Sequence, residues 1–521
     1  MKTQILGSAY VARSVNAADN RMVNLFPDQI PEGGKESGFL NRAPGLKLQQ
    51  TVGTGPIRGL WAHQTNGSDF YVVSGTEVFK LTSLTGTPVK IGNVSGTGPV
   101  SIADNGATIF FACNGPSYTY YEPTGEFNEI TDPNFVGAVT VAYINLLFVF
   151  NEPNSQRIWS VVSQDAVTGD YIYPLVFDPL TVSTADGAPD GVVALNVNNR
   201  QLWVFGTGTT EVWYDTGARG FPLSPISGAF NELGCVATFS VAKLDNTLFW
   251  LGTDPRGQGI VYKANGYIGS RVSTHAIEYA IAQYGNISDA LAYTYQQEGH
   301  AFYVLTFPTA NATWVYDVST QMWHERAGFD DGAFTRHRSN CQCNFEGNTI
   351  VGDFENGKIY TFDLDVYADG GSIQKWLRSW RALAPGQNNL KRTAHHSLQL
   401  DAQSGHYLAP TAADASIFLT TEDNNFILTE NEDFLITESS GIIYVNKAPE
   451  FMLRWSDDGG HTWSNEHWMG GGAVGQYGTR IIWRRLGMTL KLRDRVYEVS
   501  GTDPIQIAIM GAELFVTPTA S

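Results

Sequence analysis

Charge is scarce in this 521-residue chain, and basic charge is scarcer still: 16% of residues are charged, with 33 Lys and Arg against 51 Asp and Glu, for a net −18. A protein that grips nucleic acid neutralises phosphates with clustered Lys and Arg, so this balance excludes an ordinary DNA-binding role. It does not exclude a conduit, because an acidic wall lets DNA slide without sticking. Cysteine is nearly missing. The four present, Cys113, Cys235, Cys341 and Cys343, are too few for a disulfide framework at this length. Cys341 and Cys343 form a C-x-C pair with no second pair nearby, which reads as two thiols on one face of a strand and not as a zinc site. Long apolar runs are missing too: the opening MKTQILGSAYVARSVNAADN lacks the apolar core of a signal peptide, and no later stretch reaches membrane-span length. The expectation is a chain made and assembled in the cytoplasm. Phosphate-binding glycine loops, H-E-x-x-H and G-x-S-x-G are all absent, so the sequence offers no catalytic residue, no cofactor site and no metal site.

What is abundant is the chemistry of strands and turns. Aromatic residues make up 12% of the chain and there are 54 glycines, a composition suited to pleated, half-buried surfaces joined by tight turns. From about Pro56 a unit recurs, in which a strongly apolar strand is followed by a turn and an aromatic strand. The apolar strands begin at Phe70, Ile109, Leu147, Leu202, Leu248, Phe302 and Ile350, 38 to 55 residues apart. Their partners begin at Glu77, Tyr118, Ile158, Glu211, Ile260, Thr313 and Ile359. This period fits the ~40–50 residues of a propeller blade. Strands covered on both faces by neighbouring blades also account for continuous apolar runs where a half-exposed sheet would alternate.

The predicted fold class is therefore all-β: a β-propeller of six or seven blades, with an N-terminal arm and a C-terminal β-sandwich-like domain. The expected divisions are an arm and closing strand over 1–52, the propeller over 53–372, and a C-terminal β domain over 373–521. The seventh unit lacks an obvious fourth strand after Phe362, and Leu46 to Val52 can supply it, closing the ring without an open edge. Ser163 to Gly191 is an insertion in the third unit. Ser273 to Tyr284 is the clearest helix, with Ile277, Ala280 and Ile281 on one stripe. Segments Lys375 to Arg381 and Asn389 to His396 carry a local basic bias. Within 411–447 a short repeat of apolar strand and acidic turn, Ile417 to Glu438, forms the most acidic patch.

One motif is specific. Ser456, Asp458, Gly460, Thr462 and Trp463 match the Asp-box pattern S-x-D-x-G-x-T-W. Physically this is a hairpin tip in which the Ser and Asp side chains bond turn amides, a glycine permits the turn, and Trp packs beneath it. Such boxes recur in sialidases and related glycosidases. A single copy without assignable catalytic carboxylates reads instead as a structural staple. Asp363 to Gly370 faintly resembles a calcium loop, but Tyr367 stands where an oxygen ligand is needed, so a solvated turn is expected. His395-His396 reads as a strand pair with one face buried.

Met22-Val23-Asn24-Leu25-Phe26-Pro27, followed by Leu40-Asn41-Arg42-Ala43-Pro44-Gly45-Leu46, resembles the opening of the packaged-DNA-stabilisation proteins of short-tailed bacteriophages. Thr210 to Tyr214 in the middle is similar to that family, as are Arg480 to Gly487 and Leu490 to Arg493 near the end. The resemblance implies a structural virion protein, a ring-forming tail nozzle or hub beneath the portal and its adaptor. Such a protein retains packaged DNA and later conducts it during ejection. The implied partners are further copies of itself in a homohexamer, the portal-adaptor protein, a tail fibre, spike or needle protein, and DNA passing without specific binding. A carbohydrate-binding or glycoside-degrading propeller on a receptor-binding device is the alternative.

Overall fold

A computed structural model describes every residue except 14–18, 31, 33, 35, 64–68, 384–391, 406, 413–416, 419–435, 438–441, 473–477, 490–494 and 519–521. Seven antiparallel sheets follow one another along the chain, the first six built from strands in sequence order. Blade one comprises Ile57–Ala62, Phe70–Ser74, Glu77–Leu81 and Val89–Asn93. Blades two to six begin at Ser101, Val141, Val192, Ala242 and Leu291. Blade seven is formed by Ser339–Phe345, Asn348–Asp353 and Lys358–Asp363, and its fourth strand comes from the other end of the chain. Gly45–Thr51 lies antiparallel to Lys358–Asp363, with Leu46 opposite Phe362.

Ring closure is written in the packing. Every pair of neighbouring blades shares its own apolar core, supplied by the two faces of each second strand. Phe70 meets Phe345 between blades one and seven at 4.9 Å, and Tyr71 meets Tyr120 between one and two at 5.9 Å. Phe110 meets Phe148 at 5.6 Å, Phe205 meets Trp250 at 5.3 Å, Phe249 meets Tyr303 at 5.2 Å, and Tyr295 meets Phe362 at 4.7 Å. Blades three and four join through Ile158, Leu195 and Trp213. The second strands are therefore buried on both faces, which is why they read as unbroken apolar runs. The helix His275–Ala282 connects blades five and six. Thr274 Oγ1 caps it by accepting from Ile277 N, and Ile277 and Ile281 are buried against blade five.

Beyond the propeller two sheets face each other. One runs Ile481–Arg484, Thr393–Ser404, Ile507–Pro518, Gly38–Arg42, Leu25–Gln29. The other runs Trp376–Arg381, Val496–Gly501, Glu450–Ser456, His467–Gly470. Trp376, Trp380, Leu453 and Tyr497 from one layer meet Leu398, Leu400, Ile509 and Leu514 from the other, a sandwich core. This second sheet is continuous with blade six. Met22–Val23 pairs in parallel with Met322–Glu325 on one side and antiparallel with Trp376–Arg381 on the other. Propeller and sandwich thus share one uninterrupted sheet and one apolar core, with the N-terminal segment as the weld.

The segment Trp376–Arg381 is buried along nearly its whole length, so its basic bias does not form a surface patch. Arg378 is buried and donates to the carbonyl of Ile5. At the 411–447 insertion, Tyr407–Ala412, which leads into it, pairs with Ile442–Lys447, and Ile417–Phe418 pairs with Ile436–Thr437. The acidic turns between them lie outside the described residues.

Candidate functional site

The innermost strands of all seven blades converge on the propeller axis and enclose a channel of about 590 Å3. Its charged lining is sparse: Arg58, Asp104 and Lys243. Arg58 is tied down, donating to the carbonyls of Gly75, Ser95 and Gly98, and Asp104 accepts from Trp61 Nε1 at 2.5 Å. A cavity of that volume running the strand length of about 18 Å is a narrow one. A duplex whose major groove alone is about 12 Å wide does not pass through it. The propeller axis is not a DNA conduit.

The Asp box occupies the turn after Glu450–Ser456. Ser456 Oγ accepts from Gly460 N at 2.8 Å and donates to Asp458 Oδ1 at 2.6 Å. Asp458 Oδ1 also accepts from the amides of His461 and Thr462 at 3.0 and 2.9 Å, and Oδ2 accepts the Thr462 hydroxyl at 2.6 Å. The Ser456 and Thr462 hydroxyls hold this carboxyl well below the usual carboxylate range. Trp463 is half-buried, with the Arg454 guanidinium over its ring at 4.8 Å. Asp457, a position that the pattern leaves free, clamps the buried Arg495 through two contacts of 2.6 and 2.7 Å. Both carboxylates are thus engaged within the C-terminal domain.

Thiol and imidazole positions follow burial. Burial pushes the thiols of Cys113 and Cys235 up to about 11 and that of Cys341 up to about 12, which suppresses nucleophilic thiolate. Among the described residues no group of three or more His, Cys, Asp or Glu is arranged to hold a metal ion. His395 is buried between Thr393 and Tyr497, while His396 faces Thr517 at the surface. The turn Asp363 to Gly370 is less solvated than its sequence suggests. Tyr367 is buried with Arg42 over its ring at 5.3 Å, and burial raises the Asp369 carboxyl to about 7. The corrected reading is a turn whose second half is locked against the arm.

Two residues that sequence reasoning passed over as mere family markers carry the junction. Asn24, fully buried at a positive φ of 52°, receives the N–H of Ala327 and donates to the carbonyls of Ala327 and Lys375. Arg42 spreads its guanidinium over the carbonyls of Tyr367, Gln374, Asp503 and Ile505 and the side chain of Gln374. Gly45 is required beside it, because a Cβ there would sit 2.3 Å from the carbonyl of Val366. The only signal in the sequence was polar residues placed inside apolar motifs.

No curated protein matches the chain. Among solved structures, the N-terminal domain of Nup159 covers 64% of this chain with 97% of its own length, at 11% identity and a TM-score of 0.35. The computationally designed Ika8 protein covers 61% with 99% of its own length, at 12% identity and a TM-score of 0.36. A chain of a mitotic checkpoint complex covers 65% with 98% of its own length, at 14% identity and a TM-score of 0.39. The family model described as the β-propeller of bacteriophage P22 Gp10 matches residues 1–367, and the one described as its β-sandwich matches residues 416–517. A β-propeller and a β-sandwich are what these two descriptions name, and the chain belongs to the bacteriophage P22 Gp10 family of packaged-DNA-stabilisation, tail-nozzle proteins.

Proposed function

We propose that this phage-tail structural protein works as one subunit of a ring, a homohexamer seated beneath the portal adaptor, whose shared lumen retains packaged DNA and later conducts it. The observation that carries the reading is the narrow propeller axis, too small for a duplex, which favours a DNA path between copies over one through a single copy. The net charge of −18 supports a lumen that DNA traverses without adhering. Fibre, spike or needle proteins would attach to the outer surfaces. The protein carries out no bond chemistry in this reading, since the Asp-box carboxylate is spent on its own hairpin. It is made in the host cytoplasm and ends in the virion tail.

The test is assembly by native mass spectrometry, with and without the purified portal adaptor. Six copies per adaptor ring are expected, unaffected by chelator or reductant. A chain that remains monomeric with the adaptor, and releases product from host glycans, would replace this reading with the glycan-active one.

A further inference from the structure

Charge is divided unevenly between the two ends of the molecule. Residues 94–191, from the end of blade one to the start of blade four, hold eleven carboxylates and one arginine, a net −10 of the chain's −18. The insertion that joins the third and fourth strands of blade three, Arg157–Val162 and Val182–Thr184, belongs to this stretch. It is firmly anchored. Tyr173 stacks on Tyr121 at 4.4 Å, its hydroxyl accepts from Asn128 Nδ2 at 2.9 Å, and Leu175 and Phe177 are buried between blades two and three. Successive residues of an extended segment point opposite ways, so the same anchoring turns Val176 outward, 70% exposed, and Leu180 follows at 77%. Val136 extends this apolar row, exposed in the loop that Asn134 ties to the Phe177 carbonyl. Apolar side chains held outward by a fixed backbone mark a protein interface.

The opposite sign lies across the propeller. In a circle of seven blades, blade six stands opposite the gap between blades two and three, and the sandwich is continuous with blade six. Within the sandwich, residues 479–489 carry Arg480, Arg484 and Arg485, all exposed, and no acid. Ile481–Arg484 is an edge strand of its sheet. Ser397 stands opposite both Arg484 and Phe515, which puts the arginine and the ring, 60% exposed, on one face. Glu513 is the only acid on the strand that carries Phe515. One copy cannot join two faces at its opposite ends, but successive copies can, and a contact between unlike faces closes into a ring when the rotation fits. Resting on the ring reading above, we propose that the blade-three insertion of each copy docks on the arginine edge of the next copy's sandwich. Val176 and Leu180 then meet Phe515, and the carboxylates around them meet Arg484 and Arg485.

Native mass spectrometry of the full chain with the purified portal adaptor tests this contact by charge exchange. Glu129→Lys with Asp170→Lys reverses the acidic face, and Arg484→Glu with Arg485→Glu reverses the basic one; all four side chains are exposed. Each pair alone sets like charges against each other and is expected to reduce the ring fraction at least about tenfold, while the combined four-site variant restores it to within about twofold of wild type. Leu180→Asn, at a side chain already in water, keeps the fold and is expected to lower the ring fraction too, so it serves as the test if a charge variant melts early. Rings formed equally by wild type and every variant, or a four-site variant no better than its parents, would overturn the docking and leave the ring itself in place. A wild-type chain that stays monomeric with the adaptor removes the ring and this contact together. Duplex DNA binding that is lost in the arginine pair while its rings persist would overturn the proposal and assign that edge to DNA.

Discussion

Asn24 and Ala327 hold each other by two hydrogen bonds, Nδ2 to the Ala327 carbonyl at 2.8 Å and the Ala327 amide to Oδ1 at 3.0 Å, although they stand 303 residues apart. The same Nδ2 reaches Lys375, so one side chain ties the arm, the segment just after blade six and the start of the sandwich. Asn24→Ala strands the two buried backbone groups of Ala327 and the part-buried carbonyl of Lys375. At about 1 kcal/mol or more for each, a loss of roughly 3 kcal/mol is expected. Urea unfolding reads it as a lowered midpoint, and a loss below about 0.5 kcal/mol would contradict the role of this residue as the weld.

Acid should loosen the protein in a defined window. His324, His337 and His395 are buried and held neutral, the latter two pushed down to about 3 by burial, which outweighs every other influence on them. A depressed histidine contributes stability that is present above its unfolded value near 6.5 and is lost as pH falls below it. Three groups act in the opposite sense, among them Asp19, whose carboxyl burial raises. Asp369, raised to about 7 by burial, stabilises as pH falls from 7 towards 4, and His300, raised by its hydrogen bond to Asp317, favours the fold below its own raised value. Three histidines outnumber the two raised carboxyls, so stability is lost as pH falls from about 6 to 5. Urea midpoints at pH 7 and pH 5 check the sign, and a midpoint that rises on acidification would refute it.

The second strands were legible because burial on both faces leaves an unbroken apolar signature, as in Phe70–Ser74 and Leu147–Asn151. The Asp box was legible because its side chains satisfy amides within four residues. The weld was not. Met22–Val23 is a two-residue strand whose partners lie some 300 residues downstream, and nothing local distinguishes it. Arg378 belongs to a segment whose local basic bias says nothing of its burial, yet it is buried and bonded to Ile5.

Asp458→Ala removes the acceptor of two amides and one hydroxyl in the box. Because this hairpin is exposed, water replaces part of what is lost, and about 1 kcal/mol is expected from the sandwich, without change in any glycan assay. Hydrogen exchange at His461 and Thr462 reports it. Loss of a measured sugar interaction at unchanged stability would show the box to be a ligand site.

Deleting residues 1–52 removes Gly45–Thr51 and exposes the edge of Lys358–Asp363. An unpaired edge on an apolar blade recruits other strands, so aggregation is expected. Light scattering distinguishes this from a soluble truncated chain with unchanged melting, which would show that the ring does not need its closing strand.

The central claim is that DNA runs between copies of this protein, and electron microscopy of DNA-filled particles tests it most directly. Density for the duplex should lie on the symmetry axis of a six-membered ring, with each propeller bore empty of DNA. Duplex density ending above the ring with no lumen between subunits, or a single copy in the tail, would contradict the account.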